Sequence, residues 1–253
     1  MLPRTPSYRL DGKRAVVIGG SRGIGLGCAV ALAEQGASVV IVARSKGQVF
    51  ETVNEMKSEG FSVSGAPMDV SIIDNVKNLM GEYSDIDILV NSAGIARHTP
   101  TVDTTELDFV DVMSVNVRSA YFLAQSAAKQ MISKGTGGSI IQISSQMAHV
   151  GGIDRAVYCG TKHAIEGINK SMAIELGPHK IRVNSICPTF IRTPFTEPTF
   201  KDPEKVKWIE SKIKVGRVGE VEDIMGAVKF LASDVSAMVT GSSILIDGGW
   251  TAG

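Results

Sequence analysis

The sequence has only three cysteines, and nothing in their spacing joins them into a disulfide framework or a metal site. Cys28, Cys159 and Cys187 are odd in number, lie far apart and include no C-x-x-C. Such cysteines favour reduced thiols in an intracellular compartment. The four histidines form no H-x-x-x-H pattern, so we expect the protein to bind no metal.

The chain also lacks an excess of charge, a long apolar run and the apolar core of a signal peptide. Its 26 Lys and Arg residues are matched by 26 Asp and Glu residues, which leaves no bulk charge to attract nucleic acid or an anionic membrane. The longest apolar runs, such as VVIVA at 39–43, are far shorter than the roughly 20 residues that a membrane span needs. The N-terminal stretch carries no such run either. We therefore expect a cytoplasmic protein that binds neither nucleic acid nor membrane.

What the sequence does contain is a regular alternation of two patterns. Short, β-branched apolar runs predict strands that are covered on both faces, at 14–19, 37–43, 61–67, 86–91, 138–144, 181–187 and 242–247. Amphipathic patterns between them predict helices, at 23–35, 46–59, 71–82, 104–133, 156–176, 203–213 and 220–232. This alternation is typical of a doubly wound α/β fold of Rossmann type, with a mostly parallel seven-stranded sheet and right-handed crossovers.

Further details of this organisation are expectations of their own. Residues 1–10 form a loose arm and residues 11–253 a single domain, because no linker or repeat divides the chain. Ser71 is the predicted N-cap of its helix, and the long pattern at 104–133 breaks near Asn116. The stretch 188–218 is rich in Pro, Thr and Lys and interrupts the alternation after a strand, so it predicts a lid or substrate loop.

A glycine-rich turn, IGGSRGIGLG at 18–27, directly follows the first strand and opens the first helix. Gly19, Gly23 and Gly25 have the spacing G-x-x-x-G-x-G. Without a Cβ the backbone can approach a pyrophosphate closely, and the N–H groups and dipole of a helix N-terminus stabilise that group. In this strand–turn–helix context the pattern indicates a dinucleotide site; the alternative is a tight turn without a ligand.

With this turn, the sequence resembles the short-chain dehydrogenase/reductase family from about residue 10 to its C-terminus. The family's T-G-x-x-x-G-I-G is present as IGGSRGIG, with Ile18 in place of threonine, and its N-N-A-G as NSAG, with Ser92 in place of the second asparagine. Further matches are MDV at 68–70, SVNV at 114–117, YCGTK at 158–162, CPTFIRT at 187–193 and LIDGG at 245–249. In CPTFIRT, Thr189 stands where glycine is commonest. The resemblance implies a nicotinamide cofactor, a small-molecule substrate and a homotetramer.

The residue that ends the second strand distinguishes NAD from NADP, since an acidic side chain there binds the ribose 2′-hydroxyl and repels a 2′-phosphate. Here Ala43 and Arg44 end the strand, and Arg22 in the glycine turn can approach the same phosphate through bidentate hydrogen bonds. We therefore expect NADP(H), with NAD(H) as the alternative if both arginines are solvated loop residues. The resemblance places the remaining cofactor contacts on Gly19, Ser21, Gly23, Ile24, Gly25, Asp69, Val70, Asn91, Ala93, Gly94, Tyr158, Lys162, Pro188, Ile191 and Thr193.

Tyr158 and Lys162 lie four residues apart, which places them on one face of a helix. An isolated pair of this kind is more often a surface pair than a catalytic one. The resemblance implies that the tyrosine exchanges a proton with the substrate oxygen, while the lysine holds the nicotinamide ribose and stabilises the phenolate. It also implies that Ser145 hydrogen-bonds the substrate oxygen and that Asn116 relays a water to the lysine. Ser144 is the less favoured serine, because strand alternation points it to the opposite face.

Candidate substrate contacts lie in the segment 146–155 and in the excursion after the sixth strand: Met147, His149, Arg155 and Phe190. Their mixed chemistry does not separate a sugar, polyol or hydroxy acid from a larger substrate. The favoured function is interconversion of a secondary alcohol and a ketone on a small polar alcohol, sugar or hydroxy acid. The alternatives are a 3-oxoacyl-thioester reductase acting on an acyl carrier protein and a regulatory protein that binds NADP without turnover.

Overall fold

The computed structural model describes residues 2–253, which contain seven strands in one sheet. Their bounds are β1 Arg14–Ile18, β2 Ser38–Ala43, β3 Val63–Pro67, β4 Ile88–Asn91, β5 Gly138–Ile143, β6 Ile181–Pro188 and β7 Ser243–Ile246. Every strand lies within the run predicted for it, except that β6 continues for one residue more. The short apolar runs therefore located all of the strands that these residues form.

Helices separate the strands. Over residues 2–253 the α-helices are α1 Gly23–Glu34, α2 Lys46–Ser58, α3 Ile73–Glu82, α4 Glu106–Met113, α5 Ala120–Lys134, α6 Ala156–Leu176, α7 Glu197–Phe200, α8 Pro203–Lys212 and α9 Glu222–Ala232. A π-helical turn, Ser114–Ser119, joins α4 to α5, and this is the break predicted near Asn116. Not one of these helices combines the length and the apolar character that crossing a membrane requires.

All strands of the sheet are parallel and follow the order β3-β2-β1-β4-β5-β6-β7. The chain winds outward from β1 to β3, then crosses back to β4 beside β1 and winds outward in the other direction. In such a sheet, ligands bind at the carboxyl ends of the strands where the two windings diverge. The predicted doubly wound fold is confirmed, and every strand pairing is parallel.

Strand side chains alternate between two apolar layers, because successive residues of a strand point to opposite faces. Val17 packs in the layer formed with α1, α2 and α9, whereas Val16 and Ile18 pack in the layer formed with α3, α5 and α6. All three side chains are at most 1% exposed, and burying each contributes about 1.5–3 kcal/mol. Helices on both faces explain why the strand sequences are nearly continuous apolar runs.

The start of α3 differs from the prediction. Ile72, not Ser71, is the N-cap residue, and no side chain caps the helix. The Ser71 backbone N–H and hydroxyl both donate to Asp69 Oδ1, at 2.9 and 2.7 Å. These bonds close a turn between Asp69 and Ser71, and the helix begins only at Ile73, so the prediction of Ser71 as N-cap is wrong.

The excursion 188–218 contains α7, α8 and a small apolar cluster of its own. Phe190, Ile209, Ile213 and Val218 are buried together, and Trp250 from the C-terminal segment packs against them. The excursion is therefore a packed substructure that borders the carboxyl edge of the sheet.

The N-terminal segment is exposed up to Arg9 and buried at Leu10. Residues 2–9 are exposed and form no regular structure. Leu10, the last residue of the predicted arm, is 3% exposed and packs into the layer that contains α1. Its backbone N–H donates to the Gln35 carbonyl at 2.8 Å, which ties the arm to the end of α1.

Candidate active site

A cavity of about 950 Å³ opens at the carboxyl edge of the sheet. The segments that follow β1 to β6 line it, together with the first turns of α6. Most of the predicted site residues lie in this lining: Ser145, Tyr158, Lys162, Gly19, Ser21, Arg22, Gly23, Ile24, Arg44, Asp69, Val70, Ala93, Gly94, Pro188, Ile191, Thr193, Met147, Arg155 and Phe190. Gly25, Asn91, Asn116 and His149 do not line the cavity.

The glycine turn brings the start of α1 close to the end of β1. The Gly19 N–H donates to the Val42 carbonyl at 2.7 Å. A Cβ added at Gly25 would lie 2.1 Å from the Gly19 carbonyl oxygen, so Gly25 permits this close packing from behind the cavity. The N-cap residue, Arg22, is extended and makes no side-chain cap bond. The N-terminus of α1 therefore offers free N–H groups and the positive end of its dipole to an anion.

The ends of β2 and β3 form the next part of the wall. Ala43, Arg44 and Arg22 all line the cavity, and no acidic side chain ends β2. Hydrogen bonds from Ser71 lower the pKa of Asp69, although burial opposes them and the charge of Arg44 adds to them. The wall thus carries two guanidinium groups, and that of Arg44 directly follows the end of β2, the strand end that meets an adenosine ribose in dinucleotide-binding sheets of this type.

The end of β4 is fixed by two buried amides behind the cavity. Asn91 Nδ2 donates to Gln142 Oε1 at 2.8 Å, and Asn91 Oδ1 accepts from the Ala93 N–H at 3.2 Å. Asn116 Oδ1 accepts from the Ile95 N–H and Nδ2 donates to the Ile95 carbonyl, both at 2.9 Å. These side chains hold the loop after β4 in place, although neither lines the cavity itself.

Tyr158 and Lys162, both on α6, line the cavity. Lys162 is 6% exposed, and its Nζ lies 5.6 Å from the centroid of the Tyr158 ring. The same Nζ donates to the Ile143 carbonyl at 3.0 Å, which fixes the ammonium against the end of β5. Thr161 links this helix to Asn116: its hydroxyl donates to the Tyr158 carbonyl at 2.7 Å and accepts from Asn116 Nδ2 at 3.2 Å.

Both candidate serines line the cavity at the end of β5. Ser145 Oγ accepts from the Met147 N–H at 3.1 Å, which begins a short 3₁₀ turn and still leaves the hydroxyl proton free to be donated. Ser144 is more deeply buried, at 4% exposed.

The segment after β6 closes the cavity from the side of the excursion. Pro188, Ile191 and Thr193 line it. The Thr193 N–H donates to Thr196 Oγ1 at 3.1 Å, and a Cβ at Gly23 would lie 3.2 Å from Thr193 Cβ. The excursion therefore reaches across to the glycine turn.

His149 lies away from the cavity, in contrast to its predicted place among the substrate contacts. A 3₁₀ turn, Gln146–Ala148, follows Ser145 and ends at His149. This turn directs His149 toward Glu166 and Cys187: one ligand atom from each of the three residues lies within 4.8 Å of the others. Since neither Glu166 nor Cys187 lines the cavity, His149 is not placed to contact a substrate there.

Glu166 is the centre of a buried polar cluster that the sequence did not reveal. Ser185 Oγ donates to Glu166 Oε2 at 2.6 Å, Ser243 Oγ donates to the same oxygen, and Cys187 Sγ lies 3.6 Å from Oε1. Burial acts to raise the pKa of Glu166, but the hydroxyl donors outweigh it and leave that pKa below its ordinary value. Burial raises the pKa of Cys187 to about 12. The cluster therefore joins α6 to β6 and β7 through a carboxylate and a protonated thiol.

Sequence reasoning missed His98, which lines the cavity beside Tyr158. The two rings meet edge to face with their centroids 6.2 Å apart. His98 Nε2 lies 2.8 Å from Arg155 Nη1, and the Arg155 guanidinium lies 5.5 Å from the centroid of the Phe190 ring. The available signal was position alone, since His98 follows the glycine of NSAG by four residues and so belongs to the loop after β4.

Comparisons with known proteins agree with this geometry. A family model described as "Enoyl-(Acyl carrier protein) reductase" matches residues 18–251. L-xylulose reductase of Bos taurus is 37% identical over 96% of this chain and 98% of its own length, and gluconate 5-dehydrogenase of Gluconobacter oxydans is 36% identical over 96% of each chain. The structure of a gluconate 5-dehydrogenase from Burkholderia cenocepacia, in complex with NADP and tartrate, has a TM-score of 0.94 and 34% identity over 97% of this chain and 98% of that one.

One assignment follows from these comparisons, and the parallel sheet with a cavity at its carboxyl edge agrees with it. The chain belongs to the short-chain dehydrogenase/reductase family of oxidoreductases.

Proposed function

We propose that this protein is an NADP(H)-preferring oxidoreductase that interconverts a secondary alcohol and a ketone on a small sugar or sugar acid. The observation that carries the proposal is the composition of one cavity. Ser145, Tyr158 and Lys162 line it together with the glycine turn and with Arg22 and Arg44. A proton donor and a dinucleotide site in one cavity are the parts that carbonyl reduction needs.

In this proposal the proton moves through Tyr158. The phenol donates its proton to the substrate oxygen during reduction and accepts one during oxidation. Lys162, held by the Ile143 carbonyl, stabilises the phenolate through its charge. Ser145 donates its free hydroxyl proton to the substrate oxygen, and Asn116 keeps the loop after β4 in position. When bound, the nicotinamide cofactor supplies or accepts the hydride.

The cavity has the features that the cofactor requires. Its glycine turn would hold the pyrophosphate at the N-terminus of α1. Asp69 and Val70 would contact the adenine, while Pro188 and Thr193 would contact the nicotinamide. Arg22 and Arg44 favour the 2′-phosphate of NADP through charge-assisted hydrogen bonds, with NAD(H) as the weaker alternative.

Several relatives support a small, polar substrate. L-xylulose reductase and D-erythrulose reductase are named for ketoses, and gluconate 5-dehydrogenase and 2-dehydro-3-deoxy-D-gluconate 5-dehydrogenase are named for sugar acids. The cavity wall supports the same class, because Arg155 and His98 add polar groups beside Tyr158. The sugars and sugar acids of these relatives share the secondary alcohol or ketone that the proposed chemistry acts on.

Reduction of a 3-oxoacyl thioester is the second candidate, because the description of the matching family model names the acyl carrier protein that would deliver such a thioester. A carrier protein with an anionic phosphopantetheine arm would need a basic patch at the cavity mouth. Helix α8 carries Lys205, Lys207 and Lys212, but Glu204 and Glu210 lie among them. This mixed charge supports a small substrate better than a carrier protein.

Assembly and location complete the proposal. We infer a homotetramer in the cytoplasm, in which residues 11–253 fold as one domain and the excursion 188–218 acts as the lid. Exposed apolar side chains on α4 support self-association, because Leu107, Phe109 and Val110 are each about half exposed or more.

A substrate panel tests the proposed function. Purified protein would be assayed for oxidation of NADPH and of NADH with ketoses, keto acids and a 3-oxoacyl thioester, and for the reverse reaction with the matching alcohols. We expect turnover of sugars or sugar acids with NADPH. Turnover of the thioester alone, or NADPH binding without any turnover, would contradict the proposal.

A further inference from the structure

Arg155 lines the cavity close to Tyr158 and has no acidic partner in the described part of the chain. It is the N-cap residue of α6, three residues before Tyr158. No ion pair of residues 2–253 includes it, and its side-chain hydrogen bond goes to His98. The residue is only partly exposed, and burial lowers the pKa of its guanidinium. A partly buried cation without a counter-charge is unfavourable unless a ligand supplies one.

Three contacts hold the Arg155 side chain in one position. Its Cδ lies only 2.9 Å from where a Cβ on Gly152 would be, so the glycine leaves room for the arginine stem. Its guanidinium lies over the ring of Phe190 at 5.5 Å, within the range of a cation–π contact. His98 Nε2 meets Nη1 at 2.8 Å. A charged group that is held in place before the ligand arrives loses little entropy on binding.

His98 acts as a hydrogen-bond acceptor for Arg155. Burial lowers the pKa of His98 to about 4, and the charges of Arg155 and Lys205 add to this effect. The imidazole is therefore neutral near pH 7, and its bare Nε2 accepts from the guanidinium without competing for an anion. This bond occupies one of the five N–H donors of the arginine, so the others are free for a ligand.

The charges around Arg155 leave this corner of the cavity positive. Lys205 on α8 adds a second cation near His98, and the neighbouring carboxylate belongs to Asp154. Asp154 is exposed, adopts a left-handed backbone with φ of 58°, and forms no ion pair with Arg155. The guanidinium of Arg97, which also lines the cavity, is already paired with Asp108 at 3.4 Å. Lys162, the other cation beside Tyr158, already donates to the Ile143 carbonyl. Among the described residues, Arg155 is therefore the guanidinium near Tyr158 that pairs with no carboxylate, and an anionic substrate would meet it on the side of His98.

We propose that Arg155, positioned by His98, binds the carboxylate of the substrate, and that the enzyme acts on a sugar acid in preference to a neutral sugar. This inference rests on the proposed function. A guanidinium matches a carboxylate through two parallel N–H···O bonds, whereas a neutral sugar would leave the charge unpaired. No covalent bond of the carboxylate forms or breaks in the reaction. Its binding to Arg155 determines which carbon of the substrate lies next to Tyr158.

Two ketones that differ at one end give the test. 5-Ketogluconate carries a carboxylate where L-sorbose carries a hydroxymethyl group, and the remaining carbons match. We expect the native enzyme to reduce 5-ketogluconate with at least about tenfold higher kcat/KM. In Arg155→Met this advantage should fall by about 10- to 100-fold, mainly through KM, because a charge-assisted bidentate pair is lost. Turnover of L-sorbose should fall less than turnover of 5-ketogluconate, and a circular dichroism spectrum like that of the native protein shows that the variant is folded.

Matched variants separate charge from geometry. Arg155→Lys keeps the positive charge but cannot form two parallel hydrogen bonds to a carboxylate. This variant should therefore keep only part of the preference for 5-ketogluconate over L-sorbose. His98→Leu should lower kcat/KM for 5-ketogluconate more than for L-sorbose, because the guanidinium loses its support. Lys207→Met also removes one positive charge, but from an exposed position on α8, and it should leave kcat/KM for both ketones unchanged.

The possible outcomes distinguish this inference from the proposed function. Equal or better reduction of L-sorbose, or an Arg155→Met variant that loses both substrates alike, would overturn the carboxylate assignment and leave the oxidoreductase function standing. Binding of NADPH without reduction of either ketone or of any ketone in the wider panel would overturn both.

Discussion

The side-chain amide of Asn116 pairs with the backbone of Ile95 as a neighbouring strand would. Asn116 Oδ1 accepts from the Ile95 N–H and Nδ2 donates to its carbonyl, both at 2.9 Å. Asn116 lies in the π-helical turn and is 3% exposed, so this pairing is shielded from water. It fixes the loop that carries Arg97 and His98 along the cavity wall.

We therefore expect Asn116→Ala to lower both stability and activity. The variant leaves the Ile95 N–H and carbonyl without partners, which costs about 1–3 kcal/mol for a buried group. Urea unfolding would measure the loss, and steady-state kinetics would show a raised KM. Asn116→Asp serves as the matched variant, since its second oxygen faces the Ile95 carbonyl and should destabilise as well. Native stability in both variants would show that the pairing is not needed.

Tyr158→Phe should abolish most turnover without loss of cofactor binding. The change removes only the phenolic hydroxyl, and removing a positioned proton donor lowers turnover by about 10²–10⁴-fold. Cofactor oxidation would measure turnover, while quenching of protein fluorescence by NADPH would measure binding. Near-native turnover would contradict the role proposed for this tyrosine. Tyr121, an exposed tyrosine on α5, provides the control as Tyr121→Phe.

Arg44→Asp should shift the cofactor preference from NADP toward NAD. Loss of a charge-assisted hydrogen bond weakens NADP binding by about 10- to 100-fold, and the new carboxylate repels the 2′-phosphate while it accepts from a 2′-hydroxyl. Arg44→Ala separates the two effects, because it removes the attraction without adding repulsion. Kd values for both nucleotides would be measured by titration. An unchanged ratio in the aspartate variant would refute the assignment of Arg44.

Gly25→Ala should impair cofactor binding from outside the cavity. The added methyl would lie 2.1 Å from the Gly19 carbonyl oxygen, so α1 must move away from the end of β1. Overpacking of this kind costs about 1–3 kcal/mol, and the displaced helix no longer presents its N–H groups to the pyrophosphate. Titration with NADPH and thermal unfolding would measure the two effects. Gly226 on α9, where a Cβ meets nothing, gives the control as Gly226→Ala.

Glu166 makes stability depend on pH. Its pKa is lower in the folded protein than its ordinary value of 4.5, so its contribution is present above about pH 4.5 and is lost as the pH falls through the folded value. We expect Glu166→Gln to be less stable than the native protein at neutral pH, and the difference should shrink as the pH falls below about 4.5. Free energies of unfolding in urea at several pH values would show this. A difference that stays constant with pH would mean that the charge plays no part.

Much of the fold follows from the sequence because its signals are local. The apolar runs of β1 to β7 must be covered on both faces, and this requirement alone places the strands. The glycine turn and the tyrosine–lysine pair are also local patterns, so they locate the cavity. Ser71 was assigned wrongly because it closes a turn with Asp69 and the helix begins two residues later, at Ile73.

The parts of the site that depend on distant contacts were not accessible from sequence. His98 and Arg155 are separated by 57 residues and meet only because β4 and β5 are neighbours. His149 was expected in the cavity, but a single 3₁₀ turn directs it to Glu166 instead. A turn of three residues changes where the next side chain points, but it is too short to leave a periodic pattern in the sequence.

The two windings of the sheet meet where β1 pairs with β4. This division bears on two properties of the enzyme, its choice of nucleotide and its choice of substrate. Arg22 and Arg44 follow strands of the first winding of the sheet, whereas Tyr158 and Arg155 follow strands of the second, and all four line one cavity. In the proposed function the first winding sets the choice between NADP and NAD, while the second winding carries the substrate contacts together with those to the nicotinamide. We therefore expect exchange of the segment β1–β3 between related enzymes to change the preferred nucleotide more than the preferred sugar.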